Sequence, residues 1–152
     1  MGKRTGKSAG QIWLRIAFLL YAAGMLWLLF GQRWGTQIYT QQLADGINLT
    51  PFDTIGRYVT MIRYSDSSYL LRHAVYNLAG NVLLFVPLGF FLPWLGSKLR
   101  GFFKTMLFAL CLIVTVELVQ YFTFLGSCDI DDLILNLTGV ALGYPVWRLT
   151  RR

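Results

Sequence analysis

The sequence predicts an all-α membrane protein of four transmembrane helices, with both termini cytoplasmic and a short amphipathic helix on the outer surface between spans one and two. Three observations predict it. First, apolar residues are 55% of the 152 and charged residues 14%, more apolar than a soluble domain. Second, four apolar runs carry that share: Ile12–Phe30, Ala74–Leu95, Thr105–Leu125 and Ile130–Trp147, of 19, 22, 21 and 18 residues. About 20 helical residues cross a hydrocarbon core of about 30 Å, so three runs suffice and the fourth is short or tilted. Third, ten of the fourteen basic residues lie in the N-terminus through Arg15, the loop from Lys98 to Lys104, and the C-terminus from Arg148. Four spans place those segments on one side, which the positive-inside rule makes cytoplasmic.

Taken in order, residues 1–10 read as a basic, disordered tail, leaving 11–152 as a single transmembrane domain. The first run has a basic start but no small-x-small site after it, so it reads as a retained span rather than a cleaved signal. Trp13, Trp27 and Trp34 sit near its ends, where interfacial aromatics belong. The polar stretch from Gly31 to Ala44 is read as an extension of that helix outside. Thr50, Pro51 and Asp53 then predict a helix start, as N-cap, N1 proline and an acid near the positive end of the dipole. Phe52, Ile55, Val59 and Ile62 recur at helical spacing on one face, which makes the segment amphipathic. It serves either as a lid or as part of a binding site.

Span two opens with His73, Asn77 and Asn81, four residues apart and therefore on one face. Pro87 lies inside it, where proline bends a helix unless neighbours re-satisfy the backbone. Gly80 and Gly89 are read as sites of close helix contact. Span three contains Glu117, with Gln120 three residues later on the same side. An acid at a helix centre costs about 2.5–3.5 kcal/mol on insertion scales, so it faces protein or a watery cavity. The other acids, Asp45, Asp53, Asp66, Asp129, Asp131 and Asp132, lie in or beside the outer loops. Asp129, Asp132, Asn136, Gly139 and Gly143 form one stripe, and Asp131 points elsewhere, as a cap or toward water.

Depth links these groups. At 1.5 Å per residue, Asn81, Glu117 and Asn136 each come about 9–12 Å below the outer ends of their spans. That level predicts an outward-facing polar pocket with Glu117 at its floor, Asp129 and Asp132 at its rim, and His73 and Asn77 on the second wall. Its carboxylates suit a cation, a cationic group or a proton. As catalytic candidates it offers Glu117, Asp129, Asp132 and His73, but their spacing matches no strong metal motif. Cys111 and Cys128 are about 25 Å apart along a continuous helix, too far to bond. The charge of +7 does not point to nucleic acid, because no interleaved aromatic–basic motif accompanies it. The basic ends face membrane lipid headgroups instead.

The same strings carry a resemblance. Asn48-Leu-x-Pro51-Phe52, Asn77-x-x-Gly80-Asn81 running on to Pro87-Leu-Gly89, and Glu117-x-x-Gln120 resemble the VanZ-like family of bacterial membrane proteins. So does Asp129-Ile-Asp131-Asp132-Leu-Ile-Leu-Asn136-x-x-Gly139-x-x-x-Gly143-Tyr144. Where some members carry an arginine before the aspartates, this chain has Leu125-Gly126-Ser127. The resemblance implies a multi-pass protein of the bacterial cell membrane, associated through its founding member with resistance to the glycopeptide antibiotic teicoplanin. It leaves three roles open. One is a binder of a glycopeptide or a lipid-linked cell-wall precursor, through Asn77, Asn81, Glu117, Gln120, Asp129, Asp131, Asp132 and Asn136. Another is a membrane enzyme on such a precursor, and the third a proton-coupled transporter or flippase subunit. No cofactor and no oligomeric state is implied.

Overall fold

The computed structural model describes residues 5–31 and 46–151. Helices account for most of them: α1 (Thr5–Leu26, running on as a π-helical turn Trp27–Gly31), α2 (Asp53–Tyr64), α3 (Ser68–Leu95), α4 (Phe102–Phe122) and α5 (Ile130–Leu149). A parallel pair of two-residue strands, β1 (Ile47–Asn48) and β2 (Cys128–Asp129), joins distant parts of the chain. The chain divides into two units, Met1–Gln37 and Ile38–Arg152. The helix of the first unit begins at Thr5. Gly6 and Gly10 are poor helix formers, but extending a helix that has already formed adds one hydrogen bond for each residue fixed. The expected outer extension of this helix, with Trp34, lies outside the described residues.

Three helices are long and apolar enough to cross a membrane: the stretch Ala9–Gly31, α3 and α4. The fourth expected span, α5, has the length, but Asp131, Asp132, Asn136 and Arg148 leave it less apolar.

In the second unit α3 and α5 pack along each other and run in the same direction. Asn81 meets Asp132, Gly139 sits against Val82 and Phe85, and Gly143 against Val86 and Gly89. The approach is close because glycine supplies no side chain. A Cβ on Gly89 would strike the Val140 carbonyl, one on Gly139 that of Val82, and one on Gly143 that of Val86. Gly80 is different: a Cβ there would meet open space, so it is not a contact site as expected. Helix α4 runs the opposite way, returning through the short turn after α3. Phe102 at its start meets the Tyr144 ring of α5 at 5.3 Å. Thr105, Ala109, Ile113, Glu117 and Gln120 on one stripe of α4 are buried.

Helix α4 ends in a Schellman arrangement. The Leu125 N–H donates to the Gln120 carbonyl at 2.8 Å and the Phe124 N–H to that of Tyr121 at 3.2 Å. Phe124 takes the left-handed position at φ 58°, which glycine usually fills. The expected start of α2 at Thr50 is corrected as well. Thr50–Phe52 form a turn, Phe52 is the N-cap at φ 66°, and the helix begins at Asp53. No side chain of this segment caps it; the cap comes from a residue 79 positions away.

Candidate functional site

The site grows from the turn that joins α4 to α5. Cys128 donates its backbone N–H to the Gly46 carbonyl at 2.7 Å, laying β2 beside β1. That puts Asp129 at the head of α5 as its N-cap, with Oδ1 accepting the Asp131 N–H at 2.9 Å. The other Asp129 oxygen accepts from the Thr54 hydroxyl at 2.6 Å, and the Asn48 amide approaches both oxygens at 3.4 and 3.5 Å. Thr54 in turn accepts from Arg57 at 2.9 Å, and Arg57 pairs with Asp53 at 3.2 Å.

Asp131 neither faces water nor caps its own helix. It is fully buried, and its two oxygens accept the N–H groups of Phe52 at 2.6 Å and Ile55 at 3.0 Å. The Ile55 donor is the third in α2, the one an N-cap side chain ordinarily satisfies. One carboxylate therefore closes the start of α2 while sitting in the first turn of α5, near the positive ends of two helix dipoles. Asp132 reaches the third partner: the Asn81 amide of α3 donates to it at 2.5 Å. The three aspartates thus act as a latch holding α2, β1 and α3 to one end of α5.

Glu117 and Gln120 are buried, at 7% and 5% exposure. The negative charges of Glu117 and Asp129 reach Cys128, whose thiol is pushed up from its ordinary value, first by burial and then by those two carboxylates. Counted at 1.5 Å per residue from the Phe102–Tyr144 contact, Glu117 lies about 22 Å along α4, while Asp132 and Asn136 lie about 18 and 12 Å along α5. Glu117 therefore comes level with Asp132, and Asn136 sits deeper than both. Asn136 is buried at 4% exposure, and its Oδ1 finds no hydrogen-bond partner among the described residues.

His73 and Asn77 keep to themselves. The Asn77 amide donates to the His73 carbonyl at 2.8 Å, and the imidazole is exposed between Tyr69, stacked at 6.3 Å, and Tyr58, edge-on at 5.8 Å. Among the described residues no three His, Cys, Asp or Glu side chains gather as a metal site would need. An open hollow of about 530 Å³ lies on α2, lined by Phe52, Asp53, Gly56, Arg57, Thr60 and Met61. None of the predicted site residues lines it. Sequence reasoning left Asn48 and Thr54 out of the site. Asn48 stood in the quoted Asn48-Leu-x-Pro51-Phe52 string, but Thr54 carried no signal, since its partner is 75 positions away.

The fold and this site define a helical protein of membrane type, with acids latching one end and a carboxylate buried beside them. The chain belongs to the VanZ/LLP1 family, whose model matches residues 15–151. It is 29% identical over 144 residues to Protein VanZ of Enterococcus faecium, covering 94% of this chain and 78% of that one. No solved structure matches.

Proposed function

We propose that the chain is a multi-pass protein of the bacterial cell membrane whose outward end engages a lipophilic or lipid-linked envelope ligand, teicoplanin or a cell-wall precursor, and so lowers glycopeptide susceptibility. In this reading α5 is the fourth span, both termini are cytoplasmic, and α2 lies on the outer surface. The parallel course of α3 and α5 supports it, as does the separation of charge, with aspartates at one end of the bundle and Lys98, Arg100, Lys104 and Arg148 at the other.

The observation that carries the ligand reading is the burial of Glu117 and Gln120, one helical turn apart, with Glu117 near enough to Cys128 of the latch to push its thiol up. An acid inside a span costs about 2.5–3.5 kcal/mol, and proteins keep such residues chiefly where they act. Beside the latch, α2 leaves Phe52, Val59 and Ile62 exposed, an apolar face suited to a lipid tail at the outer leaflet. Asp129, Asp131 and Asp132 are occupied in holding helices, which weighs against a catalytic use for them. Glu117 and Gln120 are the ligand-facing pair in this reading, with Asn136 below them.

Expression of the chain in a sensitive bacterium should reduce susceptibility to teicoplanin, and Glu117→Gln, present in the membrane at the same level, should abolish the effect. Unchanged susceptibility to both teicoplanin and vancomycin overturns the resistance reading. Resistance kept by Glu117→Gln removes Glu117 from it.

A further inference from the structure

The end of the bundle away from the aspartates carries its own pattern. The Tyr144 hydroxyl donates to the Arg100 carbonyl at 2.7 Å, and its ring meets Phe102 at 5.3 Å and Trp147 at 5.4 Å. This knot ties the last turns of α5 to the segment between α3 and α4. Around it stand Lys98, Arg100, Lys104, Arg148 and Arg151, all exposed. The Arg151 guanidinium lies 5.2 Å from the centre of the Trp147 ring. Among the described residues none of the five is paired with an acid, and each Asp lies at the opposite end.

We propose that this basic collar is a docking surface for the headgroups of anionic phospholipids. Five like charges without acids among them create a field that draws in anions. Their position selects the anion. Lys98, Arg100 and Lys104 stand where α3 ends and α4 begins, two helices apolar enough to cross a membrane, and so at headgroup height. Arg148 and Arg151, at the end of α5, are tied to that level by the Tyr144–Arg100 bond. Each basic side chain near an anionic surface strengthens binding about fivefold. The inference needs only that these residues share one end, and it stands apart from any ligand at the aspartate end.

The full chain, purified in neutral detergent, would be melted with added phosphatidylglycerol or phosphatidylcholine. Phosphatidylglycerol should raise the melting temperature and phosphatidylcholine should not, and the difference should shrink as salt is added. The triple variant Lys98→Gln, Lys104→Gln, Arg148→Gln should weaken the apparent affinity about a hundredfold, at about fivefold for each charge removed. Arg63→Gln, on α2, should leave it unchanged. Equal stabilisation by both lipids, or full retention of the effect in the triple variant, overturns the proposal. So does stabilisation by poly-glutamate but not by phosphatidylglycerol, which points to an acidic protein instead. If the triple variant does not fold, Lys104→Gln alone should show the fivefold loss, and no loss there counts against the collar.

Discussion

Replacing Asp131 by alanine should free α2 from the bundle, at a cost of about 2–4 kcal/mol. Two backbone donors, at Phe52 and Ile55, lose their only cap, and each buried donor left without an acceptor costs about 1–3 kcal/mol. The upper sum is reduced because α2 can swing out and give its N–H groups to water. The loss should thus be local first. Hydrogen exchange at the α2 amides should accelerate strongly, while α4 keeps its protection. Asp131→Asn retains one acceptor oxygen and should fall between wild type and alanine. Unchanged exchange in α2 with Asp131→Ala would show that the cap does not hold it. Phe52 sharpens the expectation. A bulky residue at φ 66° is strained by about 1–3 kcal/mol and persists only where its surroundings compel it. Here the Asp131 contact supplies that constraint, so Phe52→Gly should relieve strain without unlatching the helix.

The second large effect is expected at Gly143. A Cβ at this position would overlap the Val86 carbonyl oxygen, with the Val86 carbonyl carbon at 2.9 Å and the Gly89 Cα at 3.1 Å. These are backbone atoms, so no rotamer change can make room. Gly143→Val must push α5 off α3 and should cost about 3 kcal/mol or more, at the top of the range for overpacking. Separation would also stretch the Asn81–Asp132 bond above it. Gly80→Ala is the matched control: its Cβ meets nothing, and alanine is the better helix former by about 1 kcal/mol. Melting in detergent should show a large drop for Gly143→Val and none for Gly80→Ala. Equal effects would mean that close packing of α3 on α5 is not what holds the unit.

The helices were largely legible because a span announces itself by length and apolarity. The run Ala74–Leu95 appears within α3, Thr105–Leu125 overlaps α4, and Ile130 opens α5 as expected. The errors lie where distant residues decide. Thr50 and Pro51 resemble a helix start, yet α2 begins at Asp53 because Asp131 captures the Phe52 and Ile55 N–H groups. No local pattern encodes the pairing of Ile47 with Cys128 or of Thr54 with Asp129. Of the stripe Asp129, Asp132, Asn136, Gly139, Gly143 read from spacing, Asp132, Gly139 and Gly143 face α3, while Asp129 turns to Asn48 and Thr54. What spacing could not supply was the register between helices. Depths counted from the ends of separate runs put Glu117 beside Asn136, whereas a shared origin at Phe102 and Tyr144 lifts it to Asp132. Direction was equally hidden for Asp131, whose offset from the stripe suggested water but meant a second helix.

The claim that Glu117 lies at an outward-facing latch can be tested through Cys128, its half-buried neighbour. In cells carrying Cys111→Ser, a membrane-impermeant maleimide applied from outside should label Cys128 slowly, since burial and two nearby carboxylates hold the thiol in its protonated, unreactive form. Glu117→Gln removes one of those charges, lowers the thiol pKa and should speed labelling at fixed pH. Labelling that occurs only in inside-out vesicles, or a rate indifferent to Glu117→Gln, would contradict the account.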